Sequence, residues 1–153
     1  MRIEKLNSGG YEKFKALFRA YYDEMDCDEE IDHLVNEYVL ADFEAELLDI
    51  ALATEGDEAC GFVIWQVDGI ENEWCLKEGM GDVRELYVSP AERQKGVGSA
   101  LLSFAEGQLK AAKVKEVYTL PTEGSEAFFL AKDYLEADEF CEETGCNFFY
   151  KEL

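Results

Sequence analysis

A chain of 153 residues, 48% hydrophobic and 13% aromatic, reads as a single globular domain over 1–153 with enough apolar material for a core that needs no disulfide or metal staple. It carries 35 acidic against 14 basic side chains, a formal charge of −21. That argues against a nucleic acid partner, since phosphate contacts need a basic face, and against docking on an anionic membrane; it permits a cationic ligand, or serves only solubility or salt tolerance.

Residues 1–6 alternate polar and apolar and read as a strand, not a secretion signal. Asn7-Ser8-Gly9-Gly10 supplies a turn and a cap, and Tyr11, Phe14, Leu17, Phe18 and Tyr21 follow at the spacing of an amphipathic helix over 11–24. Seven acids crowd the stretch that follows (Asp23, Glu24, Asp26, Asp28, Glu29, Glu30, Asp32). A second helix then carries Ile31, Leu34, Val35 and Tyr38, with one more helical turn over 41–47. There the period changes. Residues 49–54 and the β-prone run 60–67 predict a hairpin around Glu55-Gly56-Asp57. The loop 68–80 is longer than most, which favours a functional role. A strand over 83–88, a long helix over 96–112 and a strand over 114–120 come next. A helix over 125–137 and a hairpin of 140–143 with 147–151 around Thr144-Gly145 complete the chain. The order β-α-α-β-β-β-α-β-α-β-β predicts a mixed α/β fold, a mixed sheet of about seven strands with helices on both faces.

No apolar run approaches the ~18 residues of a membrane span. The five cysteines form no C-x-x-C pair, so reduced thiols in a cytoplasmic protein are the simplest expectation. Their spacing and the single histidine, His33, argue against a metal site, and His33 reads as a helix-surface residue.

The informative stretch runs from Leu86 to Leu102. A strand ends at Val88, Pro90 stops it, and a short turn delivers Gly96 and Gly98 to the first turn of a helix. Amides there, together with the positive end of the helix dipole, suit a pyrophosphate. A Walker loop is excluded, because no Gly-Lys-Ser/Thr exists. A dinucleotide fingerprint counted from Gly96 would put Leu101 where a small residue is needed. What fits without a gap is Arg93-Gln94-Lys95-Gly96-Val97-Gly98 after a strand ending Leu86-Tyr87-Val88-Ser89-Pro90. This resembles the acetyl-CoA-binding motif of the GNAT superfamily of N-acetyltransferases, and the element order is similar to that fold over most of the chain. The window from Arg84 to Lys115 is also net +3, which leaves −24 for the rest. That is the sign a polyphosphate needs at this loop, although Lys110 and Lys113 are equally at home at a helix C-terminus.

The resemblance implies a twisted, mostly antiparallel sheet and a direct attack of a primary amine on the thioester of acetyl-CoA. Leu86, Tyr87 and Val88 would lie along the pantetheine, with the Leu86 and Val88 main chains pairing with it. Arg93, Gln94, Lys95, Gly96, Val97, Gly98 and Ser99 would surround the pyrophosphate. Leu86 and Val88 are also ordinary core strand residues, and since the contact uses backbone both readings hold together. Glu85 on this strand and Asp82 just before it stand as candidate bases, at positions where the family often places a carboxylate, with solvated or salt-bridged carboxylates as the alternative; a bulge would decide which faces the substrate. The leaving thiolate needs a proton, which relatives take from a tyrosine on the last helix. Here the asparagine of that helix is absent, Glu139 replaces its glycine, and Tyr134 stands one residue off the expected place. No metal is implied, and relatives are often homodimers.

The acidic run 23–32, with Glu71, Glu73 and Trp74, suggests a cationic acceptor: a small amine such as a polyamine or aminoglycoside, or a protein amine. Two other readings stay open, a non-catalytic acyl-CoA-binding module and an acidic protein that binds a basic partner.

Overall fold

The computed structural model describes residues 1–27 and 30–153. Strand β1 (Arg2–Lys5) leads through a 3-10 turn, capped by the Asn7 side chain accepting from Gly9 N–H, into α1 (Tyr11–Glu24). Helical chain resumes as α2 (Ile31–Leu34), a π-helical turn (Val35–Leu40) and α3 (Ala41–Glu44). Strands β2 (Asp49–Glu55), β3 (Glu58–Val67) and β4 (Gly81–Val88) precede α4 (Val97–Ala111). Then come β5 (Glu116–Thr119), α5 (Glu126–Ala131), β6 (Leu135–Cys141) and β7 (Cys146–Glu152). The seven strands form one sheet in the order β1-β2-β3-β4-β5-β7-β6, antiparallel throughout except for β4 with β5.

The core lies on both faces of this sheet, and β3 divides it. Its Phe62 and Ile64 meet Phe14, Phe18 and Tyr21 of α1 on one face. Its Val63 and Trp65 meet Leu101, Leu102, Ala105 and Leu109 of α4 on the other. A strand covered on both faces must be apolar at every position, which is why Cys60–Trp65 reads as an unbroken β-prone run.

One predicted element is wrong in its second half. The helix expected over 125–137 ends at Ala131, and β6 begins at Leu135. Asp133 turns the chain with φ 72°, and Tyr134 then enters the core fully buried, with its ring edge-on to Phe129. The strand that follows is nearly twice the predicted length, and its apolar positions Leu135 and Phe140 are exposed on an edge. It therefore lacks the buried alternation by which a strand announces itself.

At Gly61 β3 leaves no room for a side chain against β4 and α4. A β-carbon there would stand 2.7 Å from the Tyr87 carbonyl oxygen and 3.1 Å from Leu101 Cδ1. Backbone cannot yield as a side chain does, so Gly61→Ala is expected to cost about 1–3 kcal/mol through overpacking. It should also push β4 out of register. Denaturation midpoints would show this as a lower midpoint, and a variant as stable as wild type would refute the contact.

Candidate active site

The cleft exists because β4 keeps its partner on one side for only two rungs. It pairs with β5 through Gly81↔Val117 and Asp82↔Tyr118. At the next position the Thr119 hydroxyl donates to the Val83 carbonyl at 3.0 Å, in place of a backbone bond. Beyond that point the strands diverge. On the other edge Ser89 N–H bonds the Cys60 carbonyl at 2.8 Å. Antiparallel alternation then turns the main-chain groups of Tyr87 and Glu85 toward β3, and those of Leu86 and Val88 toward the gap.

A bulge settles which side chains face it. Ile64 opposes Glu85 while the next residue, Trp65, opposes Val83, so Arg84 is the extra residue. Arg84 and Glu85 consequently emerge on the same face, that of α1. Arg84 Nη1 donates to Gln66 Oε1 at 3.2 Å, and Glu85 Oε2 accepts a short hydrogen bond from the Tyr21 hydroxyl. Both line a cleft of about 690 Å³, together with Asp82 and Val83 of β4 and Tyr21 and Met25 at the end of α1. Its far wall is the segment after β5 from Leu120 to Glu123, and Trp74 and the turn Thr144–Cys146 close it. Acids outnumber bases on this lining: Asp82, Glu85, Glu123 and Glu126 against Arg84. A second cavity of about 70 Å³ adjoins Arg84 and Glu85 and reaches Tyr22, Tyr38, Asp42 and Glu73.

At the end of β4 the chain makes the turn that carries the glycines. Gln94 (φ 64°) and Gly96 (φ 85°) both take the left-handed conformation, and Gly96 caps α4. The first bond of that helix runs from Ala100 N–H to the Gly96 carbonyl at 3.0 Å. The amides of Val97, Gly98 and Ser99 therefore have no acceptor within the helix. A β-carbon on Gly96 would meet nothing within 4 Å, so the turn is an open cradle. Arg93 is spent on bracing it. Its Nε donates to the Val88 carbonyl at 2.9 Å, and its Nη2 pairs with Glu24 of α1 at 2.7 Å. Lys95 pairs with Glu92 at 3.4 Å.

Two carboxyls of the cleft, Asp82 and Glu85, are pushed toward their protonated forms. Burial raises Asp82 to about 8, the nearby Asp68 charge adds to this, and Arg84 opposes it. Burial raises Glu85 also, against the Tyr21 hydrogen bond and the Arg84 charge, which favour the carboxylate. Burial and the Glu85 charge together hold the Tyr21 proton firmly in place.

The sequence-predicted residues thus fall into three groups. Asp82 and Glu85 come together in the lining of the cleft, whereas Leu86 and Val88 lie further along β4 and Gln94 to Ser99 form the turn and the start of α4 after that strand, outside the lining. Tyr87 points to the α1 face, where it is buried among Tyr21 and Phe62. Tyr134 does not join them: it precedes β6 instead of lying on a helix, its hydroxyl donates to Glu106 of α4 at 2.8 Å, and it lines no part of the cleft. Of the acidic run, Glu24 and Asp32 are engaged by Arg93 and Arg19, and Asp28 and Glu29 lie outside the described residues. Tyr21 and Gln66 fall within the amphipathic helix and the β-prone run, where the sequence pattern assigns them no role in a site. A glutamine ending the apolar run of β3 was the available signal for buried polar partners.

Residues 11–132 match the family model described as "Acetyltransferase (GNAT) family". Among solved structures, the chain is similar to an acetyltransferase of the GNAT family from Staphylococcus aureus Mu50, with TM-score 0.77 and 13% identity over 99% of this chain and 98% of that one. It is similar to the PaiA N-acetyltransferase of Thermoplasma acidophilum, solved in complex with coenzyme A (0.72, 16%, all of both chains). It is also similar to a ribosomal-protein-alanine N-acetyltransferase from Brucella melitensis (0.76, 14%, all of both chains). Among curated proteins no sequence matches significantly.

Proposed function

The chain belongs to the GNAT acetyltransferase family, and from that premise we propose that it transfers the acetyl group of acetyl-CoA to the primary amine of a cationic acceptor. The observation that carries this reading is the divergence of β4 from β5 just past Asp82, with Glu85 in the cleft lining and the glycine turn after the strand's end. The residues fit the coenzyme: an open left-handed turn and three helix N-terminal amides follow a strand whose pairing with β5 stops at Asp82, leaving the Leu86 main chain without a strand partner on that side.

In this reading the amides of Val97, Gly98 and Ser99 hold the diphosphate, and the main chains of Leu86 and Val88 continue the sheet toward the pantetheine arm. Arg93 holds the turn in shape through Val88 and Glu24. The thioester supplies an activated acyl group. The Leu86 N–H, turned to the gap, is the donor for charge that develops on its carbonyl oxygen. Glu85 takes the proton that the amine must lose, and Tyr21 and Arg84 keep its carboxylate oriented. The excess of acids over Arg84 favours an acceptor with at least one positive charge. The acidic run 23–32 contributes to this through its long-range field, since Glu24 and Asp32 are neutralised locally.

Calorimetry with acetyl-CoA and thiol release against a panel of cationic and neutral amines test the proposal. Cationic amines are expected to react faster, and their advantage to shrink as salt screens the field. Equal rates on both classes would remove the cationic acceptor. An absence of heat with acetyl-CoA would remove the enzyme reading and leave a protein-binding role.

A further inference from the structure

Where β4 and β5 make their last shared rung, three polar side chains are shut away from solvent: Asp82 is 3% exposed, Asp68 2% and Tyr118 0%. The Tyr118 hydroxyl lies 2.5 Å from Asp68 Oδ2 and 3.1 Å from Asp82 Oδ2. A phenol has one proton to give. Asp68 claims it, because every contact of that carboxylate is that of an acceptor: Leu76 N–H and Lys77 N–H donate to its Oδ2 at 3.0 Å each, and Gln66 Nε2 to its Oδ1 at 2.7 Å. The remaining contact, from Asp82 to the Tyr118 oxygen, would set lone pair against lone pair unless Asp82 carries a proton of its own. Two buried carboxylates around one hydroxyl meet the same demand, since both charges together would be costly.

We infer that Asp82 is held as a carboxylic acid that donates to Tyr118, and that its proton is the one delivered to the departing sulfur. Asp68 and Tyr118 are then positioning residues, and Asp82 is the catalytic acid instead of a base. The assignment rests on the acetyl-transfer reading. It supplies the group which that reading lacks, for the Tyr134 hydroxyl is engaged with Glu106 outside the cleft. As the amide C–N bond forms and the C–S bond breaks, the C–S electron pair goes to sulfur together with the Asp82 proton. The proton shed by the neutral amine goes to Glu85. Exchange through solvent in the cleft returns it from Glu85 to Asp82, and the protein ends as it began. The charged and titratable groups facing Asp82 are Asp68 and Cys75 from the loop after β3, Arg84 and Glu85 on β4, and Tyr118 on β5. Burial and Asp68 keep the proton on, and Arg84 works against them.

The first arm of the test uses no acetyl-CoA. Carboxyl NMR of the full chain labelled at aspartate should show one resonance that is missing from Asp82→Asn and titrates near 8. Asp68→Asn should move it down by about one unit or more, because a like charge has gone. An Asp82 that titrates in the ordinary aspartate range, about 4, overturns the shared proton. The second arm follows kcat against pH with acetyl-CoA and a diamine. An alkaline limb near 8 is expected. Asp82→Asn should abolish that limb and lower kcat about 100-fold or more, with coenzyme affinity kept. The assignment is overturned if Asp82→Asn keeps both limb and rate, or if Tyr134→Phe is the variant that removes the limb. Wild-type protein that releases no thiol would overturn the acetyl-transfer reading and the delivery step with it, whereas the titration decides the shared proton independently.

Discussion

Glu85→Gln should lower kcat by about 10²–10⁴-fold while acetyl-CoA still binds, because the substitution removes the proposed proton acceptor and leaves the turn proposed to hold the diphosphate untouched. The isosteric amide keeps the contact with Tyr21, so the loss cannot be assigned to packing. Two pH effects go with it. Burial holds the Glu85 carboxyl above the usual carboxylate range, so wild-type kcat should rise with pH as this proton leaves, and the glutamine variant should lack that limb. Stability follows the opposite course. A folded-state pKa above the unfolded value means that the folded protein keeps a proton the unfolded chain has released. Stability therefore falls as pH rises from the unfolded value through the folded one, and the variant should lose that part of the slope. Rate profiles and thermal melts from about pH 4, the unfolded carboxyl value, upward measure both. A variant that keeps wild-type kcat and its acid limb would show that Glu85 is not the base.

Gly98→Glu separates folding from coenzyme binding by moving them in opposite directions. A β-carbon at Gly98 would sit 3.5 Å from the Phe128 ring, an ordinary contact, so the helix has room for a side chain. Replacing glycine inside a helix gains up to about 1 kcal/mol, and a carboxylate in the first turn gains roughly 0.3–1 kcal/mol from the dipole. The same carboxylate would stand beside the diphosphate. Like charges about 4 Å apart near a protein surface repel by about 4 kcal/mol, so affinity for acetyl-CoA should fall by about 10²–10³-fold. The expected result is an equal or higher melting temperature with little or no heat of binding. Retained affinity would mean that the diphosphate lies elsewhere.

The parts of the site that could be read from residues alone are those that use local chemistry. The glycine turn declares itself because a left-handed cap before a helix needs glycine, and the strand before it ends at Val88, two residues ahead of Pro90. The two-sided core strand declares itself by its unbroken apolar run. Tyr134 lies off the expected helix for a physical reason: Phe128, Phe129 and Tyr134 are compatible with one more helical turn, and nothing local shows that Asp133 adopts φ 72° and drops Tyr134 into the core beside Glu106. Tyr21 was legible as a buried residue of α1 but not as the hydrogen-bond donor to Glu85, since 64 residues separate them in the chain.

From residue order and spacing came the mixed seven-stranded architecture, the helices on both faces, the glycine turn at Gly96 and the short list of carboxylates on β4, because each depends on periodicity or on the backbone demands of a few adjacent residues. Chain packing was needed for the rest: the bulge at Arg84 that turns Glu85 to the cleft, the opening between β4 and β5, and the enclosure of Asp68, Tyr118 and Asp82 around one hydroxyl. Those features belong to pairs of segments dozens of residues apart. Protonation in particular is set by what lies across the sheet, and no stretch of sequence contains that.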